Sequence, residues 1–299
     1  MSYTYYYHNS KNYRQKCQQE KITPDYHTGL PLCLSTQNDI VQISLEHKDD
    51  YPWIKAHYAK IGLPVSKNII WSNKTPNPRQ NYKLSSFIYE ENTWNNNKQL
   101  LDIVNLLDNK NTFLPLAQQH GIDIPDTHYF DNKKLITYST YPYVLKTAFG
   151  HSGLGNYLIE QPSNLDKVPP NTPLNIQPFL ENRVQDCSVH FYVKDQKAHY
   201  TWTIVDNISS RFGWEGGKPA PLPSHFKEKH QDFANHIASM GMKGHFCFDF
   251  ILTSDQQFLL NECNPRFCAS SYPSLVDKRL QLEGKWLFKK VYFNHEDFL

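Results

Sequence analysis

The stretch that decides the fold lies at residues 244–267, which read Gly-His-Phe-Cys-Phe-Asp-Phe-Ile-Leu-Thr-Ser-Asp-Gln-Gln-Phe-Leu-Leu-Asn-Glu-Cys-Asn-Pro-Arg-Phe. Two apolar runs, Phe246–Leu252 and Phe258–Glu262, flank the polar residues 253–256, and this pattern predicts a β-hairpin. Because side chains alternate between the two faces of a strand, Asp249 is expected on the face opposite its phenylalanine neighbours.

The register of this hairpin decides which charged groups meet. With a four-residue turn, Leu252 is expected to face Gln257. In the same register Asp249 faces Leu260, and Glu262 lies one diagonal step away on the Asp249 face. The hairpin therefore predicts two carboxylates close together.

Asn264 follows Glu262 at the next position on the same face, so three oxygen-bearing side chains are expected to converge. Two neighbouring carboxylates in a buried hairpin repel each other unless a cation lies between them. Mg²⁺ prefers carboxylate and carbonyl oxygens, so Asp249, Glu262 and Asn264 are the candidate metal ligands. Arg266 beside them suits phosphate or carboxylate oxygens. The alternative is an ordinary sandwich hairpin with a solvated outer face.

The acid at Asp249, followed by a turn and by Glu-Cys-Asn-Pro-Arg, resembles the metal-binding end of the ATP-grasp superfamily, of the carboxylate–amine ligase type. The resemblance implies an α/β (α+β) fold with an N-terminal α/β substrate domain and two α+β subdomains that enclose ATP. It places the N-terminal domain at residues 1–98 and the ATP-grasp domain at 99–299. Within the latter, the lid is expected at about 131–178 and the metal-binding subdomain at about 179–299.

Two lysines are expected to reach the nucleotide phosphates. Asp-Asn-Lys at 108–110 separates two helical patterns, and this run is similar to the family stretch whose lysine binds phosphate, which would make Lys110 that residue. Lys146 ends a predicted strand just before a glycine-rich loop. Read without the resemblance, Lys110 is an ordinary solvated loop lysine.

The glycine-rich loop runs between two predicted strands and matches the flap of an ATP-grasp enzyme. A loop between strands is neither a dinucleotide-binding fingerprint nor a Walker loop, because those motifs lead into a helix. Its backbone N–H groups could close over phosphates. A flexible hairpin tip would explain the glycines equally well. The candidate flap residues are Gly150, His151, Ser152, Gly153 and Gly155.

The nucleotide base and ribose are expected at residues 177–181, which resemble the family hinge. The resemblance implies base recognition by the backbone around Gln177, Phe179 and Leu180. Asn182 stands where the family commonly has glycine. The acid that holds the ribose is left open between Glu181 and Asp186.

The carboxylate substrate is expected near the loop of residues 207–223, which contains Arg211 and several glycines. One arginine in a glycine-rich loop is suited to an anionic substrate. An ordinary surface loop is the competing interpretation. Arg211 and Arg266 are the candidate catalytic residues.

Composition narrows the function classes. The 299 residues carry a formal net charge of +2, with basic residues scattered rather than striped, so a nucleic-acid partner is not expected. No apolar run approaches a membrane span, and the N-terminal residues lack a signal-peptide pattern, so a cytoplasmic protein is expected. The six cysteines show no zinc spacing and are expected to be buried thiols.

The remaining pattern predicts alternating elements. No function is assigned to residues 1–35, and residues 281–293 are read as a closing strand or helix, with neither favoured. Predicted strands are 39–45, 65–71, 143–146, 156–160, 187–193 and 199–205; predicted helices are 52–60, 96–107, a second helix through residues 113–117, and 228–240.

These observations predict an ATP- and Mg²⁺- (or Mn²⁺-) dependent ligase that joins a carboxylate to an amine through an acyl phosphate. Both substrates are expected to be small molecules of the amino-acid type, and the oligomeric state is open, a homodimer included. A different class is a non-catalytic nucleotide-binding sensor or partner-binding subunit, suggested by the altered hinge and by Cys-Ala-Ser-Ser after Phe267 in place of glycines. A dinucleotide-dependent dehydrogenase lacks its fingerprint.

Overall fold

The structure is a computed structural model that describes residues 3–8, 28–74, 82–87, 97–150, 153–209 and 212–289. The chain divides into two compact units. The first comprises residues 1–101 and 266–286, and the second comprises residues 102–265 and 287–299. Within the described ranges, no helix combines the length and the hydropathy that crossing a membrane requires.

The first unit contains a four-stranded parallel sheet with the strand order β3-β2-β1-β4. Its core is built from Leu32, Val41, Ile43 and Val65, against which several aromatic side chains pack. The strands are β1 Tyr3–Tyr7, β2 Ile40–Ile43, β3 Asn68–Trp71 and β4 Tyr82–Ser86; the helices are α1 Tyr51–Lys60 and, from the C-terminal part of the chain, α5 Ser271–Leu280.

The second unit contains two antiparallel sheets, one of six strands in the order β13-β12-β9-β10-β11-β14 and one of four in the order β5-β8-β6-β7. The strands are β5 His128–Phe130, β6 Tyr143–Thr147, β7 Asn156–Ile159, β8 Leu174–Pro178, β9 Arg183–Lys194, β10 Lys197–Ile208, β11 Trp214–Ala220, β12 Gly244–Thr253, β13 Phe258–Asn264 and β14 Phe288–Lys289; the other helices are α2 Lys98–Asp108, α3 Lys110–Gln119 and α4 Glu228–Ser239.

One face of the six-stranded sheet is an aromatic core. The Phe248 side chain is fully buried and stacks on Phe233 of α4, with ring centroids 5.5 Å apart. Phe113 of α3 and Phe191 of β9 complete the cluster around it, at centroid distances of 5.9 and 5.4 Å. The apolar side chains of β12 lie on this face, so the side chains that alternate with them lie on the opposite, more polar face.

Outside the hairpin, the structure also differs from the sequence expectation. The predicted strand 65–71 is shorter and begins at Asn68. The predicted substrate loop 207–223 contains strand β11, which pairs with both β10 and β14. Of the segment 281–293, left undecided between strand and helix, the described residues up to 289 contain the short strand β14.

Candidate functional site

The β12–β13 hairpin brings the three candidate metal ligands together, though in a different register from the predicted one. Asp249 is the direct register partner of Glu262, not of Leu260. The turn is displaced by one residue to 254–257, because Thr253 still belongs to β12 and Leu252 pairs with Phe258 instead of Gln257.

A bulge in β13 completes the change in register. Phe250 pairs with Leu260, and Asp249 pairs with Glu262, so Asn261 is an extra residue without a register partner in that ladder. A bulge of one residue moves the following side chains to the other face. It therefore turns Glu262 away from the aromatic core and towards Asp249.

The amide of Asn264 holds the two acids. Its Nδ2 donates to Asp249 Oδ2 at 2.7 Å and lies 3.4 Å from Glu262 Oε1. Two carboxylates directly opposite each other on neighbouring strands repel, so a positive group must balance them.

Lys110 supplies that charge in this structure. Its Nζ lies 2.9 Å from Glu262 Oε2, and the lysine side chain is 5% exposed. Burial by itself would raise the pKa of the Glu262 carboxyl, but the lysine outweighs burial and lowers the pKa to about 2. Glu262 is therefore an anion throughout the physiological pH range.

The local sequence explains where Lys110 lies. It is the first residue of α3, not a loop residue as expected, because Asn109 caps the helix by accepting from Asn111 N at 2.9 Å. The Lys110 N–H bonds to Ala148 O at 2.9 Å, which ties the start of the helix to the strand that carries the second lysine.

Lys146 belongs to the same cluster. It lies on β6 of the four-stranded sheet, is almost fully buried, and donates through Nζ to Asn261 Oδ1 of the bulge. Burial lowers the pKa of Lys146 to about 7, against an opposing effect from Glu262. Asn261 was missed by the sequence reasoning. The adjacent Leu259 and Leu260, which break the alternation just before it, are the signal for a bulge.

The lowered pKa of Lys146 predicts a specific dependence of stability on pH. Between about pH 7 and 10.5, the ordinary pKa of a lysine, the unfolded chain binds a proton here that the folded protein does not. The free energy of unfolding should therefore rise with pH across this window. A Lys146→Met variant is expected to lack that part of the rise.

Urea denaturation of both proteins at neutral and at alkaline pH measures the difference. Comparing the two cancels the other groups that titrate over the same range. A variant whose unfolding free energy changes with pH in parallel with that of the wild type would show that Lys146 is not a perturbed lysine.

The glycine-rich flap is described except for His151 and Ser152, which lie outside the described residues. Its base is closed by Thr147 N bonding to Gly155 O at 2.8 Å. Gly153 has φ +83°, and a Cβ there would lie 2.7 Å from Phe212 O in the β10–β11 connection. Only glycine fits this close approach.

The hinge candidates lie at the end of β8 and just beyond it. Gln177 is buried and donates to Thr127 Oγ1 at 3.2 Å, whereas Phe179 and Glu181 are exposed and Leu180 is half-buried. Asp186 on β9 is half-buried and accepts from Arg183 Nε at 2.7 Å. The choice of ribose acid between Glu181 and Asp186 remains a prediction.

The roles of the two candidate catalytic arginines remain predictions. Arg211 lies outside the described residues. Arg266 belongs to the first unit, where its Nη1 donates to Phe267 O at 3.2 Å and its guanidinium lies 5.3 Å from the Phe87 ring centre.

The residues present fit a divalent cation of the magnesium type. Asp249 and Glu262 offer carboxylate oxygens within reach of one amide, Asn264, whose oxygen and nitrogen can exchange places by rotation. Such an all-oxygen set is typical of Mg²⁺ or Mn²⁺ and not of zinc. With Lys110 and Lys146 beside it, the cluster is suited to a polyphosphate carrying its metal ion.

The polar face also contains an acid that the sequence reasoning did not single out. Asp206 on β10 is the register partner of Asp186 and accepts from Trp214 Nε1 at 2.7 Å. The signal available in the sequence was an aspartate directly after the apolar pair Ile204 and Val205 and directly before the glycine-rich segment.

Comparison with solved structures identifies proteins that have a similar fold. N5-carboxyaminoimidazole synthetase from Staphylococcus aureus has a TM-score of 0.58 at 15% identity, over 98% of this chain and 80% of that chain. Biotin carboxylase from Campylobacter jejuni has a TM-score of 0.55 at 13% identity, over 99% and 73%. An N5-carboxyaminoimidazole ribonucleotide synthetase matches at a TM-score of 0.47 and 18% identity, over 57% of this chain and only 47% of its own.

At these identities the likeness establishes the fold alone, and no curated protein matches the sequence. The family model of the ATP-grasp domain matches residues 107–270, which is more than half of the chain. This range contains both lysines, the flap, the hinge and the acidic hairpin. The predicted α/β fold and the predicted family are therefore confirmed, and the chain belongs to the ATP-grasp family.

Proposed function

We propose that this protein is an ATP- and Mg²⁺-dependent ligase that joins a carboxylate to an amine. The observation that carries the proposal is the convergence of Lys110, Lys146, Asp249, Glu262 and Asn264 in one cluster of the second unit. Each residue is chemically competent for the role that the sequence assigned to it. Binding of MgATP alone would use the same five residues, so the turnover assay below separates a ligase from a non-catalytic subunit.

In this proposal the two lysines bind the phosphates. Asp249, Glu262 and Asn264 would hold Mg²⁺, which when bound neutralises phosphate charge so that a carboxylate can approach. ATP then phosphorylates the carboxylate, and the amine displaces phosphate from the acyl phosphate. Arg266 stabilises the charge that develops in these steps.

The flap excludes water in the same proposal. An acyl phosphate is hydrolysed if water reaches it, so a cover over the site protects the intermediate. The close approach of Gly153 to Phe212 O provides a contact that could fix the flap in place. The amino-acid-like nature of the substrates remains an expectation from the sequence.

Gly153→Ala tests the flap. The new Cβ would lie 2.7 Å from Phe212 O, and alanine is strained at φ +83°, so the flap should no longer settle against this connection. We expect a fall in ligation rate and a larger fraction of ATP hydrolysed without product. Gly29→Ala, where a Cβ meets nothing within 4 Å and φ is negative, is the matched control.

The two outcomes are measured as the ratio of ligated product to ADP. An unchanged ratio in the Gly153→Ala protein would show that the flap does not depend on this contact.

The function itself is tested by a phosphate-release screen over the common amino acids and small carboxylic acids, with hydroxylamine as a general acceptor. Hydroxylamine converts an acyl phosphate to a hydroxamate, which identifies the carboxylate that was activated. Hydroxamate formation that requires both ATP and Mg²⁺ is the expected result. ATP binding without turnover across the panel would favour a sensor, and ADP accumulating without a ligated product in the presence of amines would favour a carboxylate kinase.

A further inference from the structure

Two carboxylates lie directly opposite each other on neighbouring strands of the six-stranded sheet. Asp186 of β9 and Asp206 of β10 are register partners. Like charges in this arrangement destabilise a sheet unless one is neutralised. Asp186 is neutralised by Arg183, which donates from Nε at 2.7 Å.

Asp206 has different partners, which carry no charge. Trp214 of β11 donates from Nε1 to Oδ1 at 2.7 Å, and the Ser188 hydroxyl of β9 is a second hydrogen-bond partner. From β11, its register partner is Gly217, which has no side chain. The charged group that acts on Asp206 is therefore the like-charged Asp186.

This environment brings the pKa of the Asp206 carboxyl close to neutral pH. Burial raises the pKa of the Asp206 carboxyl to about 7; the hydrogen bonds from Trp214 and Ser188 lower it, and Asp186 raises it further. The Asp206 residue is half-buried, and its side chain lies on the polar side of the sheet. An acid of this kind is suited to proton transfer.

Asp206 shares the polar face with the acidic cluster. Asp249 pairs with Ser188, and Asp186 lies two residues from Ser188 on the same strand, so all three side chains point to one face. Asp206 opposite Asp186 also points there. Strand β10 is two strand spacings from β12, which is roughly 10 Å.

The order of the strands relates the position of Asp206 to that of the two lysines. The two lysines meet the acidic cluster at β13, at one edge of the sheet, through Glu262 and Asn261. Asp206 lies across the sheet from that edge and directly precedes residues 207–223, the segment that the sequence favours for a substrate. An acceptor that extends from a lysine-bound phosphate across this face of the sheet would reach β10.

We propose that Asp206 is the base that accepts a proton from the ammonium group of the amine substrate. This inference rests on the ligase function proposed above. An ammonium ion has no lone pair and cannot attack. Transfer of one N–H proton to the Asp206 carboxylate frees the nitrogen lone pair. The C–N bond then forms while the C–O bond to phosphate breaks, the phosphate leaves with that electron pair, and the remaining excess N–H proton passes to water.

The choice of nucleophile separates this role from a structural one. Hydroxylamine is uncharged at neutral pH and needs no base before it attacks. Asp206→Asn should therefore lower amine-dependent turnover by about 10²–10⁴-fold, while hydroxamate formation stays close to the wild-type rate. The wild-type amine reaction should rise with pH and level off above neutrality, where Asp206 is ionised, whereas the variant should keep rising at higher pH as the free amine itself loses its proton.

Two further measurements control for folding. Asp195→Asn, an exposed aspartate at the other end of the same hairpin, should behave as wild type in both reactions. Ionising Asp206 costs folding free energy as the pH rises above its unfolded pKa, so Asp206→Asn should melt no lower than wild type at mildly alkaline pH.

Each outcome decides between the two proposals. An Asp206→Asn protein that slows both nucleophiles equally, or neither, overturns the role of Asp206 while leaving the ligase function intact. A wild-type protein that forms no hydroxamate with any carboxylate of the panel overturns the ligase function, and this inference with it.

Discussion

Replacing Glu262 by Gln is expected to lower ATP-dependent turnover by at least about 10³-fold. The pKa of Glu262 lies near 2 because Lys110 outweighs the effect of burial, so the wild-type side chain carries its full charge at neutral pH. The amide offers a metal ion a neutral oxygen instead, and it leaves Lys110 without its counter-charge. Raising the pH should not restore activity, since the amide does not titrate.

The measurement is phosphate release over a series of Mg²⁺ concentrations, with the fold checked by circular dichroism. We expect the Glu262→Gln protein to need more Mg²⁺ to bind ATP. Glu283→Gln is the matched control, because Glu283 forms an exposed ion pair with Lys285 that should contribute little. Wild-type turnover and metal dependence in the Glu262→Gln protein would remove Glu262 from the proposed site.

The second large effect is expected at Arg266. Arg266→Ala should lower turnover by about 10²–10³-fold, the usual cost of removing one group that stabilises transition-state charge. Arg266→Lys keeps the charge but loses the planar fork, so it should recover only part of the rate.

Part of any effect at Arg266 will be structural. Its guanidinium lies over the Phe87 ring, a contact that contributes about 0.5–2 kcal/mol in proteins. Melting temperatures of both variants separate this loss from a catalytic one, because lost packing alone should not change turnover at a temperature where the protein is folded. Normal turnover in a folded Arg266→Ala protein would refute the assigned role.

The chemistry of the hairpin could be predicted from the sequence, but its register could not. The residue types in the Phe-Asp-Phe-Ile and Glu-Cys-Asn runs were enough to predict that Asp249, Glu262 and Asn264 share one face of the hairpin. The pairing of Asp249 with Glu262 depends on the turn at residues 254–257, which includes Gln257, and on the bulge at Asn261. Both are set by local backbone geometry, which a strict alternation pattern does not contain.

The same limit applies to Lys110 and to β11. Lys110 was read as a loop residue because Asp-Asn-Lys-Asn resembles a helix break, although Asn109 acts as the cap that starts α3. Residues 214–220 were read as loop because they are rich in glycine, but they form a strand held between β10 and β14. At β11 tertiary pairing decides the conformation, whereas at Lys110 the deciding feature is a local helix cap.

The extra residue in β13 has a consequence for protein engineering. At first sight, transplanting this acidic centre onto another hairpin requires three side chains, those of Asp249, Glu262 and Asn264. If Asn261 were paired opposite Asp249 instead of bulged, however, the glutamate would lie on the apolar side of the recipient, opposite Phe248 rather than opposite Asp249. A transplanted centre must therefore include four residues, Asp249, Asn261, Glu262 and Asn264, with Asn261 in the bulge. Asn261 is also the hydrogen-bond partner of Lys146.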